Sequence, residues 1–394
     1  AWGNAVTEKY PWISIEFEAL TPDAIAEKFS VACATGTTPD LYLDGYSRIA
    51  AAVHANLTID LTEVVEANKD RFYGEQKDGI VNGQNRYIAI ADGAPYCLVT
   101  NMTLAKELGI ADMLPADMET WSYSDFLNML RAAKAADPDV IPTSLYAGSK
   151  SGDAWYYSWF LGNGANITNE ELTATVINDE GNRTAALEVL EVFKTMIDEG
   201  LVPSGCASLV DTDVESMFYT GNMLFYPTAY NKVTQMNKLM QEGTCAEFEL
   251  DAVAMPTSSG KEAPATVSWG SDGVVGFSNN GHEEEARMAI EVLISTPQLR
   301  EDLIRTRGNL SIMSDCIIEY DTEQISSVMT RGADYGGRCA NSSFGIRESW
   351  WSDYRETFYV QLQDFFVGNI DAETMLANWQ DASNEVLAAA LATE

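Results

Sequence analysis

Few residues in this chain could carry out catalysis. His54 and His282 are the only imidazoles in 394 residues, so a proton shuttle through histidine has two candidates. His54 falls in a predicted helix over 49–55 and His282 precedes a glutamate-rich helix start, and a structural role suits both. No G-x-S-x-G elbow, G-x-x-x-x-G-K-[ST] phosphate loop or G-x-G-x-x-G fingerprint is present, and Gly270-Ser271-Asp272-Gly273-Val274-Val275-Gly276 has its glycines at the wrong spacing. Cys33, Cys97, Cys206, Cys245, Cys316 and Cys339 are scattered, without C-x-x-C and without histidine at ligand spacing, which disfavours a zinc or redox motif. Their spacing is compatible with buried free thiols or with one or two disulfides. Asp211, Asp213 and Glu215 could suggest a cation site, but a predicted helix follows at once and capping suits them better. With 59 Asp and Glu, any two carboxylates can be picked as a glycosidase acid and base, so no pair is informative. Catalysis is unsupported, and no cofactor or metal is implied.

The aromatic residues say more. The chain has nine Trp and 17 Tyr, and they cluster. Trp155-Tyr156-Tyr157-Ser158-Trp159-Phe160 is one group, Ser349-Trp350-Trp351-Ser352-Asp353-Tyr354 another. Trp269-Gly270 and Phe225-Tyr226-Pro227-Thr228-Ala229-Tyr230-Asn231 complete the set. A sugar ring has an apolar C–H face and a fringe of hydroxyls, so its binders offer flat aromatic faces beside Asp, Asn, Arg and indole N–H groups. Stacking one pyranose face removes ~50–100 Å² of apolar area, on the order of 1–2 kcal/mol. Two or three such platforms with hydrogen bonds reach the ~8 kcal/mol of a micromolar complex. Trp121 and Trp379 read as core residues. For the Trp350-Trp351 doublet that reading weakens, because adjacent helical residues sit ~100° apart and cannot point into one core stripe with equal ease.

These residues must be positioned by an α/β scaffold, since strand-like runs alternate with amphipathic helices. Ile13–Phe17 alternates like a half-buried strand, and Asp40–Asp44, Tyr87–Ala91 and Tyr96–Val99 read as strands, the last two separated by the turn cluster Asp92–Pro95. Helices are expected from about Arg183 to Glu199 with Gly200 as the stop, from Glu283, and from about Asp371. Chain length favours two domains, and apolar and charged fractions of 46% and 21% are those of a globular protein. The charge is not ordinary: 24 Lys+Arg against 59 Asp+Glu leaves −35. Such a polyanion repels phosphate backbones, and no basic run offsets it, so nucleic acid is excluded as a main partner. The longest near-apolar run, Val386 to Ala392, is far short of the ~20 residues that span a bilayer. The start, Ala1–Val6, shows no secretory leader, which is uninformative for a trimmed chain.

Several motifs together resemble the extracytoplasmic solute-binding proteins of ABC importers, in particular the carbohydrate-binding group typified by maltose-binding protein. Glu8-Lys9-Tyr10-Pro11-Trp12-Ile13-Ser14-Ile15-Glu16 is similar to the family's "E-K-x-Y-P-x-I-x-V" passage, and Ala34-Thr35-Gly36-Thr37-Thr38-Pro39-Asp40-Leu41-Tyr42 to its "A-x-G-x-x-P-D-hydrophobic" signature. Tyr87 to Asn101 resembles the crossing into the second lobe, with Thr100 where the family has Tyr. Thr120–Phe126 resembles the "T-W-x-E/D-F" start of a helix with extra residues before the acid, and Phe218–Met223 resembles "F-x-x-G-x-x-A-M", with Leu224 offset. The likeness covers nearly the whole chain. The family's first strand and most of its first helix have no counterpart ahead of Glu8, so the sequence reads as trimmed, its first lobe lacking that strand.

The resemblance implies an α/β, two-lobed periplasmic-binding-protein-like fold, each lobe a mixed sheet flanked by helices, with a hinge of chain crossings. It implies a first lobe over 1–94 plus 258–310 and a second over 97–255 plus 314–394. Carried over by position, ligand contacts would be Asp44, Tyr46, Ser47 and Arg48, Asp92 and Tyr96, Trp155 and Trp159, Tyr230 and Asn231, Trp269, Gly270 and Asp272, and Trp350 with Trp351. The implied function is capture of a carbohydrate, most simply an oligosaccharide, in the interlobe cleft by a monomer, with delivery to the membrane permease subunits of an ABC importer and no bond broken. The implied location is extracellular or periplasmic, tethered by a lipidated N-terminus absent from this sequence. A binder of another solute, such as a polyamine or peptide, would put acidic groups rather than stacked tryptophan at its centre. A secreted glycoside hydrolase shares the aromatic inventory and is the alternative of a different class. Trp351→Ala is expected to cost roughly 2 kcal/mol of sugar affinity with the fold kept.

Overall fold

A computed structural model describes every residue but 21, 77, 117, 149–151, 262–264, 268–270, 279, 308, 339, 343–344 and 393–394. Its strands in chain order are β1 (Leu41–Gly45), β2 (Ile80–Val81), β3 (Gln84–Asn85), β4 (Ile88–Asp92), β5 (Tyr96–Asn101), β6 (Phe225–Ala229), β7 (Leu250–Val253), β8 (Ala265–Val267), β9 (Ser271–Gly276), β10 (Leu310–Ser311) and β11 (Ala340–Ser342). The chain divides into two compact units, one of residues 1–93, 269–319 and 346–351, the other of 94–268, 320–345 and 352–394.

The first unit is built on the sheet β1-β9-β4-β10, whose ladders are antiparallel. Strand periodicity sends alternate side chains to opposite faces. Ile88, Ile90 and Val274 join Ile290, Leu293 and Val6 in one core cluster, while Tyr87, Ala89 and Val275 join Ile49, Val53 and Phe277 in the other. Both faces are therefore covered. On the first face lies the helix Glu283–Ser295, with Glu283, Glu284 and Glu285 in its first turn, where the helix dipole favours anions. The helix Trp2–Lys9 joins it, and the Trp2 indole donates to the Ala289 carbonyl at 2.8 Å. On the second face lies the helix Tyr46–His54.

The expected strand Ile13–Phe17 is not one. Ile13 is buried in the first cluster and Ile15 packs against it, but the segment belongs to no ladder and Phe17 is exposed. Alternation was satisfied by packing alone; a ladder needs a partner edge as well. The other strands fall within a residue or two of the sequence reading.

The second unit is built on the antiparallel sheet β6-β5-β7, with every residue of β5 buried. Ile141 and Met223 add a parallel bridge beyond β6, and β8 pairs with β11 in parallel. The helix Glu180–Asp198 starts a turn earlier than its periodicity predicts and ends at Gly200, whose φ of +67° closes the helix with Leu201 N–H donating to Met196 at 2.9 Å. The helix Ala372–Leu391 is capped by Asp371, whose carboxylate accepts from Thr374 N–H. Trp379 on its inner stripe is fully buried. Trp121 is buried too, its indole donating to the Ala254 carbonyl at 2.8 Å.

Asp213 accepts from Val210 N–H at 3.1 Å at the start of the helix Asp211–Tyr219, and Glu215 pairs with Lys232 at 2.6 Å. Those carboxylates serve a cap and an ion pair. Cys33, Cys97, Cys206, Cys245 and Cys316 are free thiols, and Cys339 lies outside the described residues. His282 contacts Asp40 at 3.1 Å and His54 lies 3.3 Å from the Arg347 carbonyl, both at exposed positions.

Candidate ligand-binding site

In the first unit, register determines which polar residues meet. β1 and β4 both end, and β9 and β10 both begin, at the same edge of the sheet. Gly45 lies opposite Asp272, Asp92 opposite Ser271, and Leu310 opposite Asp92. Asp44, Asp92 and Asp272, remote in sequence, are thereby gathered at one sheet end. Asp44 is buried and accepts from Tyr42 at 3.1 Å, from Gly45 N–H at 2.8 Å and from Arg48 at 2.9 Å. Asn309 donates to Asp272. Tyr46 is buried beside Tyr87, their rings 5.0 Å apart. Ser47 is half-buried and Arg48 is exposed apart from its contact with Asp44.

Four residues of this region were missed in the sequence. Tyr87 donates its hydroxyl to the carbonyls of Ser271 at 2.8 Å and Asp44 at 3.2 Å, placing a phenol amid the carboxylates. Asp78, 4% exposed, accepts from Ser271 and pairs with Arg347. Asn309 is the fourth. Nothing in their local sequence distinguishes them, because only the tertiary register brings them here.

The charges shape one another. Burial raises the Asp92 carboxyl above its ordinary 3.8, and Asp78 and Asp272 raise it further, against Gly93 N–H and Arg347, which lower it. Burial and then Asp78 push Tyr46 up to about 12, and the Tyr87 phenol is raised well above its ordinary value by burial, then by Asp272. This surface offers carboxylate acceptors and two guanidinium donors, each guanidinium already facing a buried Asp.

The second unit carries its own set. Tyr96 begins β5 opposite Ala229, which ends β6, so Tyr96, Tyr230 and Asn231 share a sheet end. Tyr230 is fully buried, and a Cβ at Gly332 would stand 2.3 Å from its ring, so the helix Glu323–Arg338 can lie against that ring only through a glycine. Asp153, fully buried, accepts from Arg355 at 2.6 Å, and its N–H donates to the Tyr359 hydroxyl at 2.5 Å. Burial holds the Tyr96 phenol well above its ordinary range, with Tyr146, Asp153 and Tyr226 adding to the shift.

Trp155 and Trp159 stand on the helix Asp153–Gly162, every residue of which is buried. Their ring partners are aromatic: Phe193 at 6.4 and 5.3 Å respectively, Tyr156 for Trp155, and Tyr123 and Phe126 for Trp159. Both are 1% exposed, and neither indole N–H has an acceptor among the described residues. Trp379, a core residue, shares that property, so it does not single the two out. Trp350 and Trp351 belong to the first unit and are 7% and 2% exposed. Trp269 and Gly270 lie outside the described residues.

Two α/β units, crossed by one chain at several points and each with polar and phenolic groups at a sheet end, define a solute-binding protein of the two-lobed periplasmic type. The chain belongs to the bacterial extracellular solute-binding protein family, whose profile matches residues 1–299. That family comprises binders, not enzymes. A binding protein of Brucella abortus is 24% identical over 296 residues, 74% of this chain. The match spans 66% of that relative's own length. Among solved structures, a chitin oligosaccharide binding protein superposes with a TM-score of 0.80 at 16% identity, covering 98% of this chain and 93% of that one. RafE in complex with raffinose gives 0.76 at 14% identity, covering 98% and 95%. An ABC substrate-binding protein from Listeria monocytogenes in complex with cycloalternan gives 0.73 at 17% identity, with the same coverage. These likenesses establish the shared fold. No helix among the described residues is long and apolar enough to cross a membrane.

Proposed function

We propose that this protein binds an oligosaccharide and delivers it, unaltered, to the membrane permease of an ABC importer. The observation that carries the reading is the convergence of Asp44, Asp92 and Asp272 with Tyr87 and Arg48 at one sheet end. Carboxylates accept from sugar hydroxyls, and a guanidinium donates to them. The fold adds support, because solved neighbours are described as holding raffinose, cycloalternan or chitin oligosaccharides. Ligand-facing roles for Tyr46, Ser47, Tyr96, Trp155, Trp159, Tyr230, Asn231, Trp269, Gly270, Trp350 and Trp351 form part of this proposal. So do action as a monomer and a lipid tether outside the cell.

A thermal-shift screen against mono- and oligosaccharides tests the reading, with chromatography of the sugar afterwards. The expected outcome is a melting temperature that rises with one oligosaccharide class while that sugar stays intact, since a ligand that binds only the folded state stabilises it. No shift with any sugar, or shorter fragments, would contradict it. One observation favours a second reading: four carboxylates, Asp44, Asp78, Asp92 and Asp272, face two guanidinium groups in the first unit. A cationic solute such as a polyamine suits that balance, and a shift with spermidine but with no sugar would favour it.

A further inference from the structure

Asp78 is not among the residues proposed to face an oligosaccharide, yet it meets three separate stretches of chain. It sits in the turn before β2, buried to 4% exposure. One carboxylate oxygen accepts from the Ser271 hydroxyl at the start of β9, and the other pairs with the Arg347 guanidinium. Tyr46, the first residue of its helix, senses the Asp78 charge and is hydrogen-bonded to the neighbouring Gly79 backbone.

The stretch that Arg347 belongs to is unusual. Residues 346–351 are a six-residue visit to the first unit by a chain that belongs to the second before and after it. Trp350 and Trp351 end that visit. Two polar contacts of the stretch with the first unit are the approach of His54 to the Arg347 carbonyl and the Asp78–Arg347 pair. A buried carboxylate facing a guanidinium that is 42% exposed is anchored on its own side and directs the flexible partner. Gly79 makes the anchor possible. Its φ is +72°, and a Cβ there would stand 2.4 Å from the Tyr87 Cβ, so the turn bearing Asp78 closes on Tyr87 only without a side chain.

We propose that Asp78 is a positioning residue: through Arg347 it holds residues 346–351, and so the Trp350-Trp351 doublet, in the geometry that ligand binding requires. The affinity part of this proposal rests on the oligosaccharide reading. The anchoring part does not.

The test is hydrogen exchange on the whole protein, followed by calorimetric titration with the oligosaccharide that gives the largest thermal shift. Asp78→Asn and Arg347→Gln are compared with the double variant. Arg347→Gln changes a half-exposed side chain and keeps the test decisive if Asp78→Asn does not fold. The expected result is protection at 346–351 reduced about tenfold or more in each single variant, the scale of one lost charge-assisted contact, with β4 and β9 unchanged. Affinity is expected to fall by a similar factor in each, and by no more in the double variant. Unchanged protection at 346–351 would overturn the anchoring, whether or not any sugar binds. Lost protection with unchanged affinity, or additive losses in the double variant, would overturn the positioning role. Absence of sugar binding by the unsubstituted protein counts against the oligosaccharide reading alone, since the exchange result still decides the anchoring.

Discussion

Asp92 shows what gathering buried carboxylates at one sheet end costs a fold. Its carboxyl is raised because burial and the facing carboxylates of Asp78 and Asp272 disfavour the charged form. A carboxyl whose folded pKa exceeds its unfolded value opposes folding at neutral pH, and that opposition fades as pH falls through the raised value toward 3.8. Asp92→Asn should therefore melt higher than the unsubstituted protein at pH 7, with the difference vanishing in acid, while binding sugar more weakly. Calorimetric melts of the two proteins from pH 7 to pH 3.5 check this. Trp351 belongs to the same scale. At 2% exposure, its truncation to alanine leaves a cavity. The sequence-based expectation of an unperturbed fold is thus revised: Trp351→Ala should lose about 3 kcal/mol of stability besides its affinity, measurable by urea titration.

At the scale of elements, the first unit is held by a buried cation. Arg300, fully buried on the helix Pro297–Arg307, donates to Asp315 at 2.6 and 2.9 Å, and Arg71 joins at 2.5 Å. Arg300, and then Arg71, hold the Asp315 carboxyl below its ordinary 3.8 against the effect of burial. A depressed carboxyl stabilises the fold above its unfolded pKa and loses that contribution as pH falls through the folded value. Asp315→Ala leaves Arg300 buried without its counter-charge and should cost about 3 kcal/mol at pH 7, by denaturant titration. The acid-induced loss of stability expected of the unsubstituted protein as pH falls below 3.8 should shrink in the variant. Gly79→Ala should also destabilise, because the added Cβ meets Tyr87 and the backbone is left-handed.

Elements were also where the sequence was most legible. The helices from Glu180, Glu283 and Ala372 follow from spacing and caps, and Trp121 and Trp379 follow from their apolar settings. Ile13–Phe17 failed because alternation reports burial and says nothing of a partner strand. The sheet-end residues divide in the same way. Asp44, Asp92 and Asp272 could be picked from motif positions, whereas Asp78, Tyr87, Asn309 and Arg347 come together only through long-range register and the 346–351 visit.

For the whole molecule, a charge of −35 disfavours polyanionic partners, and membership of the extracellular solute-binding family places the chain among binders. The fold is common to proteins that hold different sugars, so it cannot by itself name the ligand. On the proposed reading, side chains at the sheet ends do so. The most direct measurement is a diffraction structure of the protein with the oligosaccharide that raises its melting temperature most. The account predicts intact sugar with hydroxyls within hydrogen-bond distance of the Asp92 and Asp272 carboxylates. Sugar bound elsewhere on the surface, with those two carboxylates facing only solvent, would contradict it.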